Sequence, residues 1–275
     1  MKYKLKITLT FVTLLFCVIG CSDSFLETTT DSVVIDNTPQ LNVEQANQDF
    51  SKLPFKTGIN DFELNVLFNK KWAFRLSIPL VEEDELIPLF VNLHGSALVP
   101  RADAHKRGDC LIGPALETAD TKAYILSPNS QAFLWFDPFN ETQVVNLVEF
   151  AIAHLNVDPK RVVAFGYSDG GFGSWFFADT HPELFSAAIP VAQAYGLITT
   201  DGGIIKKTEV PLFVIQGELD ELFPFTNTET LVEQSRSAGS EIILVKAIGL
   251  SHNVPCSYLP YVEEAVEWLK TSVWQ

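Results

Sequence analysis

Short, almost continuous apolar runs recur along this chain at residues 71–80, 88–93, 123–127, 161–165, 187–191, 211–216 and 241–247. Helix-like segments fall between several of them. A run such as Val162-Val163-Ala164-Phe165 lacks polar alternation, which is how a strand reads when both of its faces are covered. The stretch 141–155 places Val144, Val145, Leu147, Val148 and Ile152 on one broad helical face, and Asp158-Pro159 closes the turn after it. Residues 171–179, 228–238 and 258–270 are the other helical stretches. Strand–helix alternation with short connections implies an α/β fold, in which helices flank a mostly parallel central sheet with right-handed crossovers. No internal repeat competes with that reading.

Hydrophobic residues at 47% against 19% charged exclude a disordered chain. A net charge of -15 repels phosphate backbones, so no nucleic-acid partner is expected. The N-terminus reads as an address. Lys2, Lys4 and Lys6 precede an apolar run at 7–19, too short for a spanning helix, and Gly20-Cys21 follows. Val18-Ile19-Gly20-Cys21 resembles the cleavage box of bacterial lipoproteins. The expectation is a signal at 1–20, lipidation of Cys21, and a lipid anchor to a bacterial membrane on its periplasmic or cell-surface side. Residues 21–50 read as a polar tether and 51–275 as one catalytic-sized domain. The section at 50–62 is expected to be either an edge strand or a structured cap.

Gly166-Tyr167-Ser168-Asp169-Gly170-Gly171 is the strongest local signal, because it follows a strand-like run and precedes a helix-like one. In a G-x-S-x-G elbow the serine occupies a strained strand-to-helix turn. A serine hydroxyl needs a base to become a nucleophile. Of the five histidines, His94 ends a strand, His105 lies in a charged loop, His154 late in a helix and His181 at a helix boundary. His252 follows the apolar run at 242–245, where open parallel sheets place their sites. Asp220 is the expected acid partner, after the run at 212–215, with Glu218 the competitor and Glu221 in the same turn. The nucleophile, acid and base thus occur in the order Ser168, Asp220, His252. A developing oxyanion needs backbone N–H donors, worth ~2.7–4 kcal/mol each. Asp169 is expected to supply one, and Ser96 or Ala97, after Asn92-Leu93-His94-Gly95, the other.

Asn92-Leu93-His94-Gly95, the elbow, Gly217-Glu218-Leu219-Asp220 with Pro224, and 249–253 together make the chain resemble an α/β-hydrolase. Within that superfamily it is similar to the phospholipase/carboxylesterase and the feruloyl-esterase or polyhydroxyalkanoate-depolymerase-like branches. The likeness covers about residues 60–275 and implies fold and triad, not substrate. One departure is Gln216, where relatives commonly carry histidine. Another is the loop 96–109, with Arg101, His105, Lys106 and Arg107, unlike the short hydrophobic loop of simple carboxylesterases.

Ala132-Phe133-Leu134-Trp135-Phe136 lies in a connection that borders the site in this fold, so Trp135 and Phe136 are the substrate-binding candidates, with core packing the alternative. Phe223 and Phe225 carry the same two readings. With Cys17 and Cys21 assigned to the signal and the anchor, Cys110 and Cys256 remain, either disulfide-bonded or as two buried thiols. No cysteine, histidine or carboxylate spacing suits a metal, so neither metal nor cofactor is expected. The expected activity is hydrolysis of small-molecule or polysaccharide-linked carboxylic esters through an acyl-enzyme. A serine peptidase and a non-enzymatic surface binding protein are the alternatives.

Overall fold

Asn42 accepts the Gln45 N–H at 3.0 Å and so starts α1 (Val43–Phe50), the first regular element among the described residues of the computed structural model. The structure describes residues 40–82, 84–96, 101–131, 134–193, 200–201, 204–205 and 207–275. The signal, Cys21 and most of the tether lie outside them. Ala46 and Phe50 are fully buried, and the Phe50 ring meets Phe55, Phe74 and Phe150 at 5.4–5.9 Å. The expected tether to residue 50 is therefore corrected: α1 belongs to the folded body. Its i, i+4 apolar pair is too small to stand out in a polar segment.

A hairpin of β1 (Gly58–Leu67) and β2 (Lys70–Ile78) follows. Then come β3 (Ile87–Leu93), a 3₁₀ turn (Ala104–Lys106), α2 (Ile112–Thr118), β4 (Tyr124–Pro128) and α3 (Pro138–His154). The chain continues through β5 (Val157–Tyr167), α4 (Asp169–Thr180), β6 (Ala187–Val191), and the short pair β7 (Thr200–Asp201) and β8 (Ile204–Ile205). It closes with β9 (Leu212–Gly217), α5 (Phe225–Ser237), β10 (Ile242–Ala247), a 3₁₀ turn (Pro255–Tyr258) and α6 (Leu259–Trp268), which runs on as a π-helical turn (Leu269–Val273).

Among the described residues the main sheet has eight strands in the order β1-β2-β4-β3-β5-β6-β9-β10. Pairings β1/β2 and β2/β4 are antiparallel, and every pairing from β4 to β10 is parallel. The apolar runs are continuous because successive residues feed opposite layers. Val162 and Ala164 join the core that holds α3 and α4, while Val163 and Phe165 join the one that holds α2 and α6. Leu212 and Val214 against Phe213 and Ile215 repeat the division on β9. The sheet is thus sandwiched, and the parallel strands deliver their C-terminal ends to one rim.

Candidate active site

The elbow lies between β5 and α4. Ser168 has φ 58° and ψ -122°, a conformation that costs an L-residue energy and that surrounding contacts must hold. Its N–H donates to the Val191 carbonyl at 2.9 Å, and its own carbonyl accepts the Phe172 N–H at 3.0 Å. Two glycines make the turn sterically feasible. A Cβ on Gly166 would strike the Gly170 backbone, and one on Gly170 would strike the Leu93 carbonyl.

The β9 and β10 loops bring the two distant partners to this hydroxyl. Ser168 Oγ lies 3.0 Å from His252 Nε2, and His252 Nδ1 lies 2.9 Å from Asp220 Oδ2. The Asp220 side chain is fully buried. Its Oδ1 accepts the Leu222 and Phe223 N–H groups at 3.0 and 2.8 Å, and its Oδ2 accepts Gln216 Nε2 at 3.0 Å. Because a carboxylate can only accept, Nδ1 must carry the proton in this hydrogen-bond network, which leaves Nε2 free to accept from the serine. Glu218 is exposed and instead accepts the Gly249 N–H at 2.9 Å, bracing the histidine loop. Glu221 is exposed too.

Two buttressing phenols escaped the sequence reading. Tyr167 donates to the His252 carbonyl, and Tyr258 donates to the Ser251 carbonyl at 3.2 Å. Burial pushes both hydroxyls above their ordinary range, so they stay protonated donors at any physiological pH. Cys110 and Cys256 are joined by a disulfide with Cα atoms 5.3 Å apart, which ties the loop before α2 to the turn following His252. Only the position of Tyr167 inside the elbow offered a sequence signal.

On the opposite side lies the turn after β3. The Ser130 N–H donates to His94 Nε2 at 3.1 Å, so Nδ1 carries the proton and donates to the Gly95 carbonyl at 2.9 Å. Burial pushes the His94 pKa down to about 4, opposed by the Gly95 carbonyl and helped by the positive charge of Arg107. This neutral ring clamps the turn. A Cβ on Gly95 would come 3.3 Å from Ser168 Cβ, so the turn passes directly beside the elbow. Ser96, at φ 58°, lines the same cleft as Ser168. Asp169 is the first residue of α4, where backbone N–H groups point out of the helix end. Ala97 lies outside the described residues.

The cleft has a volume of about 770 Å³, and its wall includes His94, Ser96, Arg107, Ser168, His252 and Asn253. Trp135 does not line it, which corrects the substrate-binding expectation. Its ring is fully buried, its indole N–H donates to the His94 carbonyl at 3.1 Å, and it fills the space that Gly173 leaves open. Phe136 is likewise absent from the cleft wall and packs on Phe172 and Phe176 at 5.6 and 6.4 Å. Trp135 thus packs between the turn after β3 and α4, and Phe136 packs on α4. Ala132 and Phe133 lie outside the described residues. Of the other aromatics, Phe223 stands 5.2 Å from the His252 ring. The remaining histidines play other parts. His105 bonds Asn129, His154 bonds Asn47, and His181 bonds Glu141. Among the described residues no cluster of histidine, cysteine and carboxylates suits a metal ion.

The sheet order, the elbow and the loops that meet above it are those of the α/β-hydrolase fold. Residues 140–207 match the prolyl oligopeptidase family. The chain is similar to poly(3-hydroxyalkanoate) depolymerase C of Paucimonas lemoignei, 29% identical over 119 residues that make up 38% of this chain and 27% of that protein. It is also similar to the putative esterase NocK of Nocardia uniformis subsp. tsuyamanensis, 31% identical over 86 residues, 31% of this chain and 24% of the other. The matched stretches thus span about a quarter of each relative's length. Among solved structures, the apo form of Thermogutta terrifontis esterase 2 superposes with a TM-score of 0.61 at 18% identity, covering 79% of this chain and 96% of that one.

Proposed function

We propose that the chain is a serine hydrolase that cleaves carboxylic esters through an acyl-enzyme. The observation that carries this reading is the continuous hydrogen-bond path from Ser168 through His252 to the buried Asp220, set on an elbow whose backbone strain exposes the hydroxyl. Ser168 Oγ attacks the acyl carbon as its proton passes to His252 Nε2. The imidazolium keeps its Nδ1–H on Asp220, which stabilises the new charge without taking the proton. Backbone N–H groups of Asp169 and Ser96 receive the oxyanion. His252 then protonates the departing alkoxide, and a water repeats the sequence on the acyl-enzyme to release the acid.

The expected outcome for Ser168→Ala is a loss of turnover on a p-nitrophenyl ester of ~10⁴-fold or more. An unchanged rate in a folded variant would end this reading, and no labelling of Ser168 by a fluorophosphonate would favour a non-enzymatic binding protein on this fold. The match of residues 140–207 to the prolyl oligopeptidase family supports a second reading, a serine peptidase using the same groups. Chromogenic peptides tested beside short-chain esters separate the two by relative kcat/KM. The N-terminal sequence supports the further proposal that the mature protein is carried on a lipidated Cys21.

A further inference from the structure

The cleft wall holds one side-chain cation that no carboxylate among the described residues neutralises. The basic residues around the loop 101–107 differ in their partners. Arg75 is bidentate on Asp61 at 2.7 and 2.9 Å and also donates to the Lys106 carbonyl at 3.1 Å. Lys106 pairs with Asp103 at 2.8 Å. Arg101 does not line the cleft. Arg107 does, together with Ser168 and His252, and it is exposed there without an ion-pair partner among the described residues.

The turn that presents Arg107 is fixed at several points. Ala104 and His105 are buried. The His105 backbone N–H and ring Nδ1 both meet Asn129 Oδ1, at 3.2 and 3.0 Å, and Asn129 Nδ2 donates to the Arg101 carbonyl at 2.9 Å. The Arg107 N–H donates to the Ala104 carbonyl at 3.2 Å, and the disulfide at Cys110 anchors the far side. The nearest acid in sequence lines the cleft too and is exposed, but its oxygens are taken up by backbone donors. Asp109 accepts the Leu111, Ile112 and Gly113 N–H groups at 2.9, 3.1 and 2.7 Å, capping α2. Glu117 lines the same cleft and is exposed, so the wall is not uniformly positive. The Arg107 charge also acts on His94, which puts it within electrostatic reach of the turn beside the elbow.

A guanidinium offers a planar fork of donors and accepts nothing, so its natural counterpart in a substrate is a carboxylate. In a chain of net charge -15, a local cation also sets where an anionic molecule is drawn in. We propose that Arg107 is a specificity-determining residue that binds a carboxylate carried by the ester substrate, either on its acyl part or on its alcohol part. This rests on the ester-hydrolase reading. The favoured substrates are then half-esters of dicarboxylic acids or esters of carboxylated alcohols and phenols.

The test compares wild type with Arg107→Gln and Arg107→Lys in two arms. One arm sets p-nitrophenyl hemisuccinate against p-nitrophenyl butyrate, which places the charge on the acyl part. The other sets 4-carboxyphenyl butyrate against phenyl butyrate, which places it on the alcohol part. In at least one arm the anionic-to-neutral ratio of kcat/KM falls about 10-fold in Arg107→Gln, as the loss of one charge-assisted contact implies, and Arg107→Lys keeps part of it. Salt at about 0.5 M erodes the wild-type ratio and leaves that of Arg107→Gln flat. Ratios that stay within about twofold in both arms, while the neutral esters are still cleaved, overturn the inference alone. If no ester in either arm turns over and Ser168 resists fluorophosphonate, the ester-hydrolase reading falls with it.

Discussion

Gln216 shows how one side chain tunes a site it does not enter. It is fully buried, and its Nε2 donates both to Asp220 Oδ2 and to the Phe223 carbonyl, at 3.0 and 2.7 Å. The same carboxylate oxygen accepts His252 Nδ1, so the amide competes with the imidazole for one acceptor. Gln216→Leu removes the amide's restraint on Asp220, so kcat/KM on a p-nitrophenyl ester should fall about 10-fold. Gln216→His, which keeps an N–H donor, should recover part of it. A variant with lowered thermal stability and an unchanged kcat/KM would make Gln216 a packing residue only. His94 gives a second prediction at this scale, this time for stability. Its folded pKa of about 4 lies below the ordinary 6.5, so between those values the unfolded chain binds the extra proton. Stability is complete above about pH 6.5 and is lost as pH falls toward 4, by about 3 kcal/mol for the full shift. Denaturation midpoints measured across that window should flatten in His94→Gln.

The elements themselves were legible to different degrees. The parallel strands β3, β5, β6 and β9 stand out because burial on both faces gives each an unbroken apolar run. Ser168 was legible for a related reason, since only glycines clear the crossing of β5, α4 and β3. The helix α1 was not, because burial of Ala46 and Phe50 alone leaves a polar-looking sequence. Trp135 was misread because an aromatic beside a glycine-made gap, here Gly173, looks in sequence like an aromatic beside a pocket. Gln216 and Tyr167 stood out in the sequence by position alone, and Tyr258 not at all, because the contacts through which they act cross between strands and loops. The Cys110–Cys256 link also works at this scale. It closes 146 residues, so its removal in a Cys110→Ser, Cys256→Ser variant should cost roughly 2–5 kcal/mol. Chemical denaturation measures that loss. Activity near the midpoint of the variant should fall before global unfolding, because the freed turn is the one that follows His252.

Over the whole molecule, charge and anchoring make opposite demands, and that opposition can be tested. A chain of net charge -15 is repelled by an anionic membrane surface, so attachment through its own side chains is disfavoured, and salt would screen the repulsion and not the attachment. Attachment through acyl chains on Cys21 depends instead on buried CH₂ groups, which salt does not weaken. The full-length protein made in a bacterial host should therefore sediment with membranes in low salt and remain there in high salt, leaving only with detergent. Cys21→Ser should shift it to the soluble fraction at every salt concentration while Ser168 of the purified body stays reactive towards a fluorophosphonate. Intact mass spectrometry of the detergent-extracted protein should show an N-terminal cysteine carrying acyl mass. Wild-type protein that is washed from membranes by salt, or whose first residue precedes Cys21, would mean that this chain is held at a surface by a partner and not by lipid. The hydrogen-bonded path from Ser168 to Asp220 would stand unchanged in either case, since Ser168, Asp220 and His252 all lie far along the chain from Cys21.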